Sequence, residues 1–179
     1  YPHTPGIDAV GFIESTKSKK FKIGQEVIVS GYDLGMNTPG GFGEYIRVPR
    51  SWACHLPKNL TAIESMAIGT AGLTAGLCIK KLKKLNGING KNAVVTGATG
   101  GVGSFAIKLL KLLGAKVTAI TTKLNEEEFL KMIGADEIIS KKDFINSVRK
   151  PLERGIWDIG VDTVGGDILS NLIPSMKYG

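Results

Sequence analysis

The chain has 179 residues, 42% hydrophobic and 22% charged, with a formal net charge of +7. That length allows two domains or parts of two, and the composition is that of a soluble globular chain. The positive excess is spread along the chain and its lysine clusters are not interleaved with aromatics, so no nucleic-acid partner is expected; an anionic small molecule suits it better.

No stretch reads as a membrane span. The best candidate, Ser65 to Ile79, falls short of roughly 18 apolar residues and is interrupted by glycines. No signal peptide is visible. The chain opens at Tyr1 without a Met and closes at Tyr178-Gly179, where a further strand is expected, so it reads as an internal fragment. Two isolated cysteines, Cys54 and Cys78, give neither a disulfide framework nor a Cys-x-x-Cys metal pattern, and favour a reducing, cytoplasmic setting.

Residues 1–59 look all-β. Glu26 to Val29 and Glu44 to Val48 are strand-like runs, and Gly31, Gly35, Pro39, Gly40, Gly41 and Gly43 punctuate a long loop between them. Thr61 with Glu64 three residues later is a capping box. A helix follows it, Gly69-Thr70-Ala71-Gly72 interrupts, and a second helix runs to about Leu85. Lys80, Lys81, Lys83 and Lys84 give that helix end a dense basic face, suited to solvent and to the helix dipole or, as the sharper alternative, to the phosphates of an anionic ligand.

From there strands and helices alternate. Strands are expected at Asn92 to Thr96, Lys116 to Ile120, Glu137 to Ser140 and Trp157 to Val161. Helices are expected at Val102 to Leu113, Glu126 to Ile133, Asp143 to Arg149 and Asp167 to Met176. Such alternation implies a parallel sheet with right-handed crossovers, whose ligands bind at the carboxyl ends of the strands.

The stretch Val94-Val95-Thr96-Gly97-Ala98-Thr99-Gly100-Gly101-Val102-Gly103 carries the chemistry. A β-branched run stops in glycines and an amphipathic helix starts at once, as a dinucleotide-binding βαβ unit requires. The pyrophosphate must meet free N–H groups at the helix N-terminus, and side chains there would hold it off. Thr99, Gly100, Gly101, Val102 and Gly103 are therefore the candidate phosphate cradle. Gly103 also lets the helix lie close on its strand.

An NAD site usually carries an acid about twenty residues past the glycines, for the ribose 2′-OH. Here the second strand ends in Thr121-Thr122-Lys123, with no acid before Glu126. Two hydroxyls and an ammonium would welcome a 2′-phosphate, and Lys141 ends the neighbouring strand. Thr121, Thr122, Lys123 and Lys141 are thus candidates for NADPH selection.

In order, these pieces resemble the medium-chain dehydrogenase/reductase superfamily, and within it the zinc-independent, quinone-oxidoreductase-like branch that contains acrylyl-CoA reductases. The matching stretches are Pro5 to Gly11, Gly24 to Val27, Gly40 to Tyr45, Gly69 to Ala75, Val95 to Gly103 and Asp162 to Gly165. The resemblance implies part of a GroES-like β domain at 1–59, on the substrate side. It implies a Rossmann-type, doubly wound NADP-binding sheet at 60–179, truncated C-terminally. Zinc-dependent members carry Gly-His-Glu where this chain has Gly6-Ile7-Asp8, and a cysteine near Thr70-Ala71-Gly72, so no metal is expected. Without a Lewis acid, alcohol oxidation is disfavoured.

The activity that the resemblance implies is NADPH-dependent reduction of an activated C=C bond, acrylyl-CoA to propionyl-CoA first and a quinone as the alternative. A non-catalytic NADPH-binding protein is the alternative of another class. A homodimer is expected for the whole protein. The proton donor is not readable. Tyr32, in a Gly-rich loop, and Thr70 and Thr74, at the helix interruption, are the candidates for catalytic roles, whereas Tyr45 is expected to pack in a strand.

Overall fold

The computed structural model describes residues 2–85, 87–147 and 155–178. The chain folds as two compact units, Tyr1–Leu73 and Thr74–Gly179.

The first unit is built on three strands, β1 (Asp8–Phe12), β2 (Glu26–Ser30) and β3 (Ala53–His55), in the order β1-β2-β3. Both pairings are antiparallel, with Asp8 opposite Ser30 and Val27 opposite His55. Val27 and Val29 alternate inward from β2 and close a small core with Phe21, Leu34 and Ala53.

Glu44 to Val48, expected as a strand, is not one, and Tyr45 is exposed rather than packed. A β-branched run becomes a strand only beside a partner edge, and none of the described strands takes it. The backbone just before it is engaged instead: Gly40 N–H donates to Thr4 O at 2.7 Å and Gly41 N–H to Gly6 O at 2.9 Å. A Cβ on Gly40 would lie 2.4 Å from the Pro5 carbonyl carbon, and one on Gly41 2.4 Å from Asp8 O. These two glycines serve close backbone approach rather than a turn.

Helix α1 (Ala62–Leu85) starts at a complete capping box. Thr61 N–H donates to Glu64 Oε2 at 2.8 Å and Glu64 N–H donates to Thr61 Oγ1 at 3.2 Å. The Thr61 backbone N–H, and then its hydroxyl, hold the Glu64 carboxyl below its ordinary pKa. The expected interruption is a sharp kink: Gly69 has φ 47° and ψ −156°, and the helix resumes at once. Because it resumes, α1 reaches 24 residues and contains an 18-residue window of mean hydropathy 1.4, long and apolar enough to cross a bilayer by those measures. This corrects the expectation that no stretch qualifies. The kink divides α1, and the second half packs Ala75 and Ile79 into the core of the second unit while Leu73 and Leu77 are exposed.

The second unit is a parallel sheet in the order β6-β5-β4-β7, made of β4 (Asn92–Thr96), β5 (Lys116–Thr121), β6 (Glu137–Ser140) and β7 (Ile159–Val161). The order reverses beside β4, which makes the β4–β7 crevice the switch point of a doubly wound fold. Helices α2 (Gly101–Leu112), α3 (Glu127–Ile133), α4 (Lys141–Ser147) and α5 (Gly166–Leu172) complete it.

Successive strand residues face opposite layers, as the pleat dictates. Val95, Val117 and Ala119 join Ala106, Ile107 and Leu110 of α2 on one side. Val94 and Ile120 join Phe144, Trp157, Ile168 and Leu172 on the other. Trp157 is buried there, its Nε1–H donating to Thr118 Oγ1 at 3.2 Å and its ring 5.8 Å from that of Phe144.

Several boundaries shift by one residue, and three differ by more. Helix α4 begins at Lys141, two residues early, because Ser140 caps it; positions 148 and 149 of the expected helix lie outside the described residues. Helix α5 stops at Leu172, where Pro174 favours a 3-10 turn over Ile173–Ser175. Trp157 stands apart from β7 and bridges to Met176 instead.

Candidate functional site

The carboxyl ends of β4, β5, β6 and β7 gather the sequence-selected residues at one edge of the second unit's sheet. Strand β4 ends at Thr96, and the chain turns through Gly97, Ala98, Thr99 and Gly100 into α2. Gly97 has φ +58°, and a Cβ on it would lie 2.2 Å from Thr163 Oγ1. A Cβ on Gly103 would lie 2.3 Å from Gly97 O, so Gly103 lets α2 start directly on the strand end.

The start of α2 is bare. Gly100 is its N-cap with no side-chain cap bond, and its first turn has no acidic residue. The N–H groups of Gly101, Val102 and Gly103, in that first turn, have no carbonyl four residues earlier within the helix. The positive dipole end of α2 therefore lies at this turn, where Gly101 is exposed, Val102 is half-buried and Gly103 is buried. The glycine turn fits a pyrophosphate in the way that fold requires.

Across the switch point, Asp162 organises the end of β7. Thr96 Oγ1 donates to Asp162 Oδ1 at 2.5 Å, and Gly165 N–H donates to Asp162 Oδ2 at 2.9 Å. Thr163 N–H donates to Thr96 Oγ1 at 3.1 Å and Thr163 Oγ1 to Thr96 O at 2.9 Å. The two strand ends bordering the glycine turn are thus stitched by side chains, which fixes the crevice wall.

At the other flank, Thr121 is buried and its Oγ1 accepts the Lys123 N–H at 3.0 Å. Thr122 and Lys123 are exposed beyond it. Thr121 pairs in register with Ser140, and Lys141 follows as the first residue of α4. Lys123 and Lys141 are therefore carried on adjacent strand ends.

The other candidates lie in or beside the first unit. Tyr32 has φ 56°; its ring stacks on Trp52 at 5.3 Å and its hydroxyl donates to Ser51 O at 3.4 Å. Thr70 sits just past the α1 kink. Its N–H donates to Asp8 Oδ2 at 3.0 Å and its hydroxyl to Asp8 Oδ1 at 2.8 Å. Thr74 is exposed one turn further on. Asp8 is a residue whose contribution sequence reasoning missed. It serves the second half of α1 as a cap supplied by a strand, and only its place at the start of β1, after Gly6, signalled it. Among the described residues, no three His, Cys, Asp or Glu side chains gather to hold a metal ion.

Comparison with known proteins gives two family models. The alcohol dehydrogenase GroES-like domain matches residues 1–58, and the zinc-binding dehydrogenase family matches residues 101–179. The probable acrylyl-CoA reductase AcuI of Escherichia coli is 39% identical over 180 residues, covering 100% of this chain and 55% of its own length. The putative quinone oxidoreductase YhfP of Bacillus subtilis is 41% identical, with 100% and 54% covered. Among solved structures, the yhdH oxidoreductase from Salmonella enterica in complex with NADP superposes with a TM-score of 0.93 at 39% identity, over 99% of this chain and 55% of that one. The Bacillus subtilis yhfP structure with NAD bound gives 0.92 at 40%, over 99% and 54%. The chain spans about half the length of the relatives it matches. With the glycine turn at the switch point of a parallel sheet and an antiparallel GroES-like sheet before it, the chain belongs to the medium-chain dehydrogenase/reductase superfamily.

Proposed function

We propose that the protein is an NADPH-dependent reductase of an activated C=C bond, with acrylyl-CoA, giving propionyl-CoA, as the first substrate class. The observation that carries it is the uncapped, acid-free start of α2 directly after Gly97 to Gly100, on a sheet whose second strand ends in Thr121-Thr122-Lys123. Relatives named acrylyl-CoA reductase, at 39% and 38% identity, support the substrate class. Solved relatives with bound NADP or NADPH support the cofactor. Residues 1–59 are assigned to the substrate side and 60–179 to the cofactor side.

NADPH, when bound, supplies the hydride. The chain's own part is to bind, orient and exclude water. The N–H groups at Gly101 to Gly103 would hold the pyrophosphate, with Thr99 beside them and Gly100 shaping the turn by donating its own N–H to Gly97 O at 2.9 Å. Thr122, Lys123 and Lys141 would hold the 2′-phosphate, with Thr121 shaping that turn. Thr70 and Thr74 are the proposed contacts for the nicotinamide end, Thr70 being fixed by Asp8. Tyr32 stays a candidate proton donor. No step is assigned to a metal, because Gly6-Ile7-Asp8 and Thr70-Ala71-Gly72 bring one carboxylate and neither a thiolate nor an imidazole to the two stretches where the zinc-dependent members carry theirs. A small-molecule substrate, a homodimer and a reducing, cytoplasmic setting complete the proposal; the free thiols of Cys54 and Cys78 support the last.

A quinone is the second substrate class, favoured by the 41% identity to a protein named as a putative quinone oxidoreductase. The deciding experiment is NADPH consumption by the full-length protein with acrylyl-CoA, a small quinone and an enal in parallel. Turnover of acrylyl-CoA with the highest kcat/KM is expected. Faster quinone turnover would replace the substrate class, and no turnover with tight NADPH binding would leave a non-catalytic binding protein.

A further inference from the structure

We propose that Asp143 is a specificity-determining residue whose carboxylate, held at the end of β6, weakens binding of a cofactor that carries a 2′-phosphate. Granted the NADPH assignment above, the preference for NADPH over NADH is set not only by Lys123 and Lys141 but by an acid placed beside them.

Strand β6 runs into α4 without a loop: Ser140 is the last strand residue and Lys141 the first helical one. Ser140 Oγ donates to Asp143 Oδ2 at 2.6 Å and accepts the Asp143 N–H at 3.0 Å. The Ser140 hydroxyl proton is thereby committed to a carboxylate and is not offered to a phosphate. The same bonds fix where the negative charge sits. Ser140 is the ladder partner of Thr121, the last residue of β5. Adjacent strands lie about 4.8 Å apart, so the Asp143 carboxylate lies on the order of one Debye length, ~8–10 Å, from the end of β5.

Among the described residues Asp143 makes no ion pair; the pairs formed are Lys111–Asp136, Lys131–Glu127 and Lys177–Asp158. Its carboxylate is carried beside Lys141 and Lys142 at that end of the sheet. A 2′-phosphate carries between one and two negative charges and a ribose 2′-OH carries none, so the repulsion reads only one of the two cofactors. The cap explains why the acid is there: Ser140 Oγ accepts the Asp143 N–H at the start of α4, and the Asp143 carboxylate accepts that hydroxyl's hydrogen bond in return.

The test is titration of the full-length protein with NADPH and with NADH, followed by cofactor fluorescence. Asp143→Asn keeps an acceptor for Ser140 and removes only the charge. It is expected to tighten NADPH about threefold and leave NADH unchanged, the gain fading as salt rises from roughly 50 to 500 mM. Asp143→Glu keeps the charge and is expected to match the wild type. Unchanged NADPH affinity in Asp143→Asn, or equal tightening of both cofactors, overturns the role of Asp143. Lys123→Ala and Lys141→Ala distinguish that failure from a deeper one. If both lower the NADPH-to-NADH preference while Asp143→Asn does not raise it, only the Asp143 proposal falls. If neither lowers it, the 2′-phosphate does not sit at this end, and the NADPH assignment and the Asp143 proposal fall together.

Discussion

Gly103 meets the carbonyl of Gly97 where a Cβ would lie 2.3 Å away, so its lack of a side chain is a steric requirement of the strand–helix turn. Gly103→Ala is expected to push α2 off the strand end. The expected loss is about 1–3 kcal/mol in urea unfolding, as for other overpacked sites, together with at least tenfold weaker NADPH binding. Intact NADPH affinity in that variant would separate the turn from the cofactor. Asp8 works in the opposite way, by what it supplies. Removing its carboxylate in Asp8→Ala leaves the Thr70 N–H at the kink without that acceptor, and a loss of about 1–2 kcal/mol is expected, as for a helix cap. The glycine turn was legible in the sequence because β-branched residues, glycines and an amphipathic run follow one another without a gap. The Asp8–Thr70 clamp was not, since it joins residues 62 positions apart and no local spacing announces it.

Helices α1 and α2 show how starts of helices divide between structure and function. Helix α1 closes its first turn with Thr61 and Glu64, and Thr61→Ala is expected to cost about 1 kcal/mol, read as a lower urea midpoint. Helix α2 has no such closure and takes its stability from its buried face: Ala106, Ile107 and Leu110 are fully enclosed. Leu110→Ala is accordingly expected to cost about 2–5 kcal/mol. The sheet's four strands were readable because each is a short run between turn signals, the two central ones, β4 and β5, being buried nearly throughout and the edge strand β6 only half-buried. In the first unit the signal misled. Glu44 to Val48 has strand composition without a neighbouring edge, while β1 and β3 are strands because β2 pairs with both. Strand propensity marks a segment's fitness for a sheet, and only tertiary pairing decides whether it joins one.

At the scale of the whole molecule, acid stability rests on a few carboxylates. Burial pushes the Asp136 carboxyl up, but hydrogen bonds from Lys111 at 2.5 Å and from Val117 N–H at 2.8 Å outweigh it and leave the pKa lowered. The Asn92 N–H, at 2.8 Å, lowers that of Asp158 against burial, with Lys177 helping. A carboxyl whose folded pKa lies below its unfolded one stabilises above about pH 4, and that share is lost as pH falls through the folded value. The thermal midpoint is therefore expected to hold from pH 7 to about pH 5 and to drop below pH 4. In Asp136→Asn together with Asp158→Asn the drop should be shallower; an unchanged drop would place the acid sensitivity elsewhere.

The two tryptophans of the chain fall one to each unit: Trp52 beneath the exposed ring of Tyr32, and Trp157 enclosed between Thr118 and Phe144. Each is thus a native optical reporter for its own half. Trp157 should emit at shorter wavelength and resist acrylamide quenching, while Trp52 stays accessible to the quencher. Replacing either with Phe would show from a single emission band whether the halves melt in one transition or two.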